Sequence, residues 1–319
     1  MQFILFKKYF SKLSLPGGLR LWITLASLIF VAIVCWKNWI QLRKVSIDSE
    51  GWYWLLASFL FSILSILMNA IAWRSLVHWL ENTTIKLNLI PLYLQSNLLK
   101  YLPGGIWHFV DRLRALRPLI GSGPALASVI LEPFILASAT LLWVPLMGLN
   151  IGLHLACYLP LIFLFTRWRE PLLKAFERSK IKSISRVDLN VVKDLKLERT
   201  VFPNIRNSYP WKPFAGELLF LLLRFMGFWC CLNAFSLNSS FTFPFWLGGF
   251  AFAWTVGFVT PSASGGLGVF EAMIFFIFSN NVSEALLLVV ALIYRIIVCF
   301  ADISAAALVS YDYSKIKWT

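Results

Sequence analysis

Six ionisable side chains stand inside stretches of sequence that are otherwise apolar: Glu132, Glu217, Arg224, Glu271, Arg295 and Asp302. An ionisable group at membrane depth is costly, and by default it marks a functional position. Glu217 and Arg224 are seven residues apart, as are Arg295 and Asp302. On one helix that spacing is about two turns, roughly 10 Å of rise, too far for a direct pair. Each group is therefore expected to meet a partner on another helix, with Glu217–Arg295 and Arg224–Asp302 as plausible crossings. Glu132 precedes Pro133. The proline removes a backbone donor, so the carboxylate or a water could serve the distorted turn. The alternative for Glu217, near the end of its apolar run, is that it snorkels to the interface. Two uses remain open for the set: lining a polar path or coupling protons, and structural ion pairing that holds a bundle together.

A second group of candidates comes from two glycine-bearing elements, one in each half of the chain. The first is Lys100-Tyr-Leu-Pro103-Gly104-Gly105-Ile-Trp-His-Phe-Val-Asp111-Arg112, with Arg114 beyond it. The second is Thr260-Pro261-Ser-Ala-Ser-Gly265-Gly266-Leu-Gly268-Val-Phe-Glu271. Both run from small or kinking residues through Gly-Gly to aliphatic and aromatic residues and then an acid. Backbone that leaves the helix at membrane depth is tolerated only where protein buries it or a wet cavity meets it. Broken segments in corresponding halves point to a transporter's substrate site. A helix opened by Gly265-Gly266 would direct unpaired N–H groups and a positive dipole end into that space, where a phosphate headgroup would fit. The alternative is that these glycines only break helices and allow close packing.

The elements that must position these residues are apolar helices. The chain has 319 residues, of which 59% are hydrophobic and 14% charged, and its mean hydropathy is +0.74. That balance departs from a soluble domain's, so an all-α, polytopic membrane helix bundle is predicted, forming one integral membrane domain over residues 1–319. The expected spans are Leu21–Trp36, Trp52–Trp73, Pro124–Met147, Ile151–Thr166, Phe214–Phe235, Phe243–Thr260 and Leu286–Ser310. Leu87–Leu102 and Gly266–Phe278 are shorter and broken, and either crosses or dips in and returns. Between a first half-bundle (1–166) and a second (213–319) lies a basic linker, Arg167–Lys212, with twelve Lys or Arg against five acids.

The net charge of +14 concentrates in loops. It is read as a topology signal, not as nucleic-acid binding. Lys7, Lys8, Lys12 and Arg20 place the N-terminus inside, and Lys315 and Lys317 place the C-terminus inside with the linker. About eight crossings satisfy this count if Gly266–Phe278 crosses and Leu87–Leu102 does not. Lys37, Arg43 and Lys44 then lie outside. No small-residue cleavage site follows the first run, so an uncleaved span is expected there. Cys35, Cys157, Cys230, Cys231 and Cys299 read as packing residues, and His78, His108 and His154 are scattered. No metal site, cofactor or catalytic set is expected.

Two motifs, Tyr101-Leu-Pro-Gly-Gly-Ile-Trp-His-Phe-Val-Asp-Arg112 and Pro261-Ser-Ala-Ser-Gly-Gly-Leu-Gly-Val-Phe-Glu-Ala272, carry a family resemblance. The sequence resembles the transmembrane, flippase-type region of lysylphosphatidylglycerol synthases and their stand-alone relatives. It departs from that family where Ser264 stands in place of the usual proline before Gly-Gly. The resemblance implies movement of a phospholipid or lipid-linked substrate in the plasma (inner) membrane. It does not imply lysine transfer, because a soluble synthase domain is not expected in this chain. In that reading Lys100, Arg112 and Arg114 gather an anionic headgroup near the inner face. The glycine elements hold it near the midplane, and Arg224, Glu271, Arg295 and Asp302 line the path. The alternatives are a non-transporting membrane partner of a lipid or envelope biosynthetic complex and, less favoured, an enzyme modifying lipid headgroups. A homo-oligomer is compatible with the sequence.

Overall fold

The computed structural model describes residues 36, 47–81, 88–102, 106–148, 150–165, 167–169, 171, 173, 208–260, 266 and 268–309. Among them the secondary structure is helical, without strands. The helices are α1 (Ser49–Leu80), α2 (Leu89–Leu98), α3 (Trp107–Ile120), α4 (Ser122–Leu141), α5 (Ile151–Ile162), α6 (Trp211–Ala234), α7 (Phe243–Val259), α8 (Val269–Phe278) and α9 (Glu284–Ala307). The expected span Leu21–Trp36, save Trp36 itself, most of the linker and the basic tail lie outside the described residues.

Four segments are long and apolar enough to cross a bilayer: α1, α4 with the short 3-10 turn that continues it to Met147, α6 and α9. The helices α5, α7 and α8 are apolar but shorter. The bundle of apolar helices predicted from the sequence is therefore present, with more uneven helix lengths than expected. The run read as a span over Ile151–Thr166 is helical for only twelve residues, none of them buried. It ends two residues past Pro160. Leu87–Leu102 resolves into the ten-residue α2 and a 3-10 turn, Leu99–Tyr101.

Helix starts follow local chemistry. Asp48 caps α1 by accepting a hydrogen bond from the Gly51 amide at 2.7 Å, and Asn150 caps α5 by accepting one from the Leu153 amide at 3.0 Å. Each side chain satisfies a donor that the helix itself leaves open.

The long helices α1 and α6, from opposite sides of the linker, pack against each other along a stripe of small residues. Ser58, Ser62, Ser65, Asn69, Ala70 and Ala72 on α1 are all buried. Opposite them on α6, a Cβ added at Gly216 would stand 2.7 Å from that of Ala72. Small residues let two backbones approach where lipid offers no hydrophobic drive to bring helices together. Two apolar clusters flank this pair. One gathers α2, α3 and α4 around Trp73 and Leu116. The other gathers α6, α7, α8 and α9 around Phe228, Phe250 and Tyr294.

The short helix α8 runs back along α7. Gly257 faces Phe270, and Gly249 faces Phe278, so the two helices are antiparallel. Ten helical residues rise about 15 Å, roughly half a hydrocarbon core of about 30 Å. The segment required to cross by charge counting is thus the returning arm of a hairpin and is too short to span alone.

Candidate functional site

Among the described residues, buried charge collects at three places to which the broken elements contribute, while buried Arg169 stands apart against Trp79. The first is built on α3 and α4. Arg112 is 1% exposed. Its Nη1 donates to both oxygens of Glu132, at 2.7 Å each. Its Nε donates to Ser96 Oγ on α2 at 2.8 Å. The guanidinium lies 3.7 Å from the Tyr93 ring centroid and 5.3 Å from that of Trp73, and the Tyr93 hydroxyl donates to Glu132 Oε1 at 2.9 Å. Every partner here is itself buried. Charge-assisted hydrogen bonds of this length in a dry site are strong, and truncating either partner strands the other charge.

This geometry corrects two expectations. Arg112 does not face headgroups near the inner face, because Ser96 and Glu132 converge on its guanidinium inside the bundle. Glu132 does not serve the turn at Pro133, because its carboxylate turns to Arg112 and Tyr93. Glu217 is corrected as well. It is 2% exposed and does not snorkel, because α1 closes over the start of α6, where Gly216 touches Ala72. Its Oε2 has no hydrogen-bond partner.

The second place centres on Asp302 of α9. Lys100, in the 3-10 turn after α2, meets Asp302 Oδ2 at 2.6 Å. The Tyr101 hydroxyl donates to the same oxygen at 2.7 Å. Arg224 Nη2 lies 3.8 Å from Oδ1, within ion-pair range but beyond hydrogen-bond distance. Arg224 Nη1 and Asp302 Oδ1, both buried, have no hydrogen-bond partner. The expected Arg224–Asp302 crossing is thus present. Lys100 is corrected: its ammonium serves Asp302 instead of the headgroup boundary, because the break after Leu98 swings the chain toward α9. Two cations face one carboxylate here, an excess of one positive charge.

The third place is the start of α8. Arg295 of α9 pairs with Glu271 Oε1 at 2.9 Å and donates from Nη2 to the Gly266 carbonyl at 3.0 Å. The expected Glu217–Arg295 crossing is therefore absent, since Glu271 takes that place. Glu271 Oε2 accepts the Gly268 amide at 2.7 Å. An acid three residues into a helix reaches back to an open amide in this way. The opened helix end expected to receive a phosphate thus has its Gly268 amide occupied by the protein's own carboxylate. Gly266 and Gly268 have φ of +71° and +83°, a region that L side chains enter at a cost. A Cβ at Gly266 would also stand 2.8 Å from the Gly257 carbonyl oxygen. Here both backbone conformation and close approach require glycine.

Of the remaining expected site residues, Asp111 and Arg114 are half-buried on α3, about 100° and about 160° around the helix from Arg112. Pro103, Gly104, Gly105, Pro261 and Gly265 lie outside the described residues. Sequence reasoning missed Tyr93, Ser96 and Tyr101, polar groups that complete two of the three places. Their signal was weak: uncharged polar residues in a short apolar run.

The clusters share scaffolding. The α2 segment supplies Tyr93 and Ser96 to the first and, past its end, Lys100 and Tyr101 to the second. Helix α6 carries Glu217 and Arg224, and α9 carries Asp302 and Arg295. Tyr294, between the last two clusters, donates to the Arg224 carbonyl at 3.0 Å.

Comparison with known proteins gives one family. The family model described as the lysylphosphatidylglycerol synthase TM region matches residues 91–303. That interval contains all three charge clusters. No curated protein matches the chain.

Proposed function

The chain belongs to the lysylphosphatidylglycerol synthase transmembrane-region family, and from that premise we propose that this integral membrane protein is a flippase-type translocator of an anionic phospholipid or lipid-linked substrate. The observation that carries the reading is the charge excess at Asp302. Lys100 and Arg224 share one carboxylate, and a buried Arg224 nitrogen has no hydrogen-bond partner. An uncompensated cation in a bundle interior costs several kcal/mol. A phosphate headgroup would cancel the excess and accept the free donor, and Arg matches phosphate oxygens in geometry as well as in charge.

In this mechanism the headgroup displaces Asp302 from Lys100 or joins it, while the acyl chains stay in lipid. Residues of α2, α6 and α9 hold it, and no covalent step is involved. The hairpin α7–α8 borders the same space through the Arg295–Glu271 pair, so shifting that pair would open one side of the path. We place the protein in the plasma (inner) membrane with both termini cytoplasmic, on the lysine and arginine distribution. Reconstitution with a fluorescent anionic phospholipid tests the reading. Transbilayer exchange above that of protein-free liposomes is expected, falling to background in Arg224→Gln. Exchange equal to empty liposomes, with no lipid co-purifying, would overturn it.

A further inference from the structure

The Asp302 cluster is satisfied on one side only. Asp302 Oδ2 accepts Lys100 Nζ at 2.6 Å and the Tyr101 hydroxyl at 2.7 Å. Asp302 Oδ1 and Arg224 Nη1 have no hydrogen-bond partner, and neither does Asn69 Oδ1 of α1. All three residues are deeply buried, with relative exposures of 1% for Asp302, 4% for Arg224 and 5% for Asn69. We propose that this site selects a headgroup by its hydroxyls as well as by its phosphate: the ligand is a monoanionic phosphodiester bearing neutral hydroxyl groups, and Asp302 and Asn69 are the acceptors that determine specificity. The inference rests on the translocator reading for the lipid nature of that ligand.

The register of α1 on α6 brings Asn69 to Arg224. A Cβ on Gly216 would meet Ala72, and one on Gly227 would meet Ser62 Oγ at 3.1 Å. Ser58 Oγ lies 3.2 Å from Cys231 Sγ. The two helices are therefore antiparallel, and Asn69 and Arg224 both fall between the Ala72–Gly216 and Ser62–Gly227 contacts. Three residues on from the Ala72–Gly216 contact, Asn69 is level with Leu219, which is about 7.5 Å of rise short of Arg224. Helical side chains lean toward their own N-terminus, so across an antiparallel pair these two lean toward one another. The Arg224 guanidinium follows that direction, back to 5.3 Å from the Phe220 ring centroid. Asp302 approaches it from α9, with Oδ1 3.8 Å from Nη2. On α2, Asn97 stands one turn before Lys100, and its buried Nδ2 is a further donor without a partner. The Lys100 side chain is 23% exposed, so the cluster reaches the bundle surface there.

The unspent groups define the ligand. Lys100 and Arg224 against Asp302 leave a charge of +1, which one phosphodiester cancels. A phosphomonoester dianion overshoots to −1. A zwitterionic or cationic headgroup leaves the excess in place, and an uncompensated charge in the interior is costly. Hydrogen bonding narrows the choice further. Phosphate oxygens only accept, so they serve Arg224 Nη1 and leave Asp302 Oδ1 and Asn69 Oδ1 bare. A hydroxyl donates, and hydroxyls carried beside the phosphate fill both acceptors. A buried acceptor left unmade costs more than a made bond gains. A site built to hydrogen-bond a hydroxyl therefore rejects the analogue that lacks it. Asp302 Oδ2 keeps Lys100 and Tyr101 throughout, and no covalent bond forms or breaks. Two kinds of lipid carry this chemistry: a glycerophospholipid with a polyol headgroup, and a polyprenyl phosphate joined to a sugar.

Competition binding, read by native mass spectrometry of the detergent-solubilised full chain, tests the site without transport. Phosphatidylglycerol and phosphatidylmethanol of the same acyl chains differ in hydroxyls and not in charge. Phosphatidylglycerol should be bound about tenfold or more over phosphatidylmethanol, and phosphatidylethanolamine should bind no better than phosphatidylmethanol. Asn69→Leu should cut the preference to about threefold or less, with phosphatidylmethanol binding retained. Equal binding of phosphatidylglycerol and phosphatidylmethanol by the wild type overturns the proposal, as does phosphatidylethanolamine bound as well as phosphatidylglycerol. A preference unchanged in Asn69→Leu overturns it too. The wild-type comparison needs no variant, so it decides the matter even if Asn69→Leu does not fold.

A polyprenyl phosphoglucose probe separates the two sources. Whichever of it and phosphatidylglycerol binds more tightly names the source, and binding of neither overturns the site. Selective binding without transbilayer exchange above empty liposomes overturns the translocator reading and leaves the site standing. Exchange that treats phosphatidylglycerol and phosphatidylmethanol alike overturns the site and leaves the translocator reading standing.

Discussion

The Arg112 and Asp302 clusters are built from overlapping helices and have opposite characters. Around Arg112 the contacts are short, and one cation is matched by one carboxylate. Around Asp302 one carboxylate oxygen holds Lys100 and Tyr101 tightly, while the other lies 3.8 Å from Arg224 without a hydrogen bond. The first arrangement closes on itself. The second leaves a donor and an acceptor unspent. The same two elements, α2 and α6, feed both, so the difference lies in what each helix meets: α3 and α4 surround Arg112, whereas a single acid from α9 answers two cations.

The contrast makes ordered predictions. Arg112→Met should have the largest effect, because it strands the buried Glu132 without its cation; a loss of about 3–5 kcal/mol is expected, measurable as thermal unfolding in detergent. A loss below about 1 kcal/mol would break the comparison, since it would mean that the closed cluster is not holding the bundle. Asp302→Asn should come next, at about 3 kcal/mol. Adding Lys100→Met should recover part of that loss, and a double-mutant cycle would report the coupling. Absence of recovery would show that Lys100 does not depend on Asp302. Gly266→Ala should cost about 1–2 kcal/mol through its backbone conformation, plus the displacement of Gly257, and should slow lipid exchange through the α7–α8 hairpin. Tyr101→Phe is the smallest, about 1 kcal/mol for one hydrogen bond to a charged group that keeps a second partner. It sharpens the comparison if Tyr93→Phe, in the closed cluster, costs more.

The positions of the charges were legible in the sequence because ionisable residues inside apolar runs are few. Their partners were only half legible. Arg224–Asp302 followed from helix spacing, whereas Arg295 turned to Glu271, a residue that sequence placed at the end of a motif and not opposite α9. Glu217 was misread because six residues from the start of a helix resembles an interface position; only the packing of α1 against Gly216 reveals it as interior. Tyr93 and Ser96 carry no charge and no motif, so nothing in one dimension marks them, and Tyr101 stood in a motif that pointed to its glycines and charges. The long helices α1, α4, α6 and α9 were visible as apolar runs. The shortness of α8 was legible too, in the brief run after its glycines, whereas that of α5 was not, because hydropathy reads composition and cannot see where a helix stops.

The Gly216–Ala72 contact has a mechanical consequence. Where two helices touch through backbone and methyl groups, no long side chain lies between them to bend and absorb displacement. A push on α1 near Ala72 is therefore passed to α6 with little loss. Glu217 is the very next residue and Arg224 rides on the same rod, so an acid and a base belonging to different clusters move as one piece. The stripe of small residues thus ties the placement of Arg224 to that of α1.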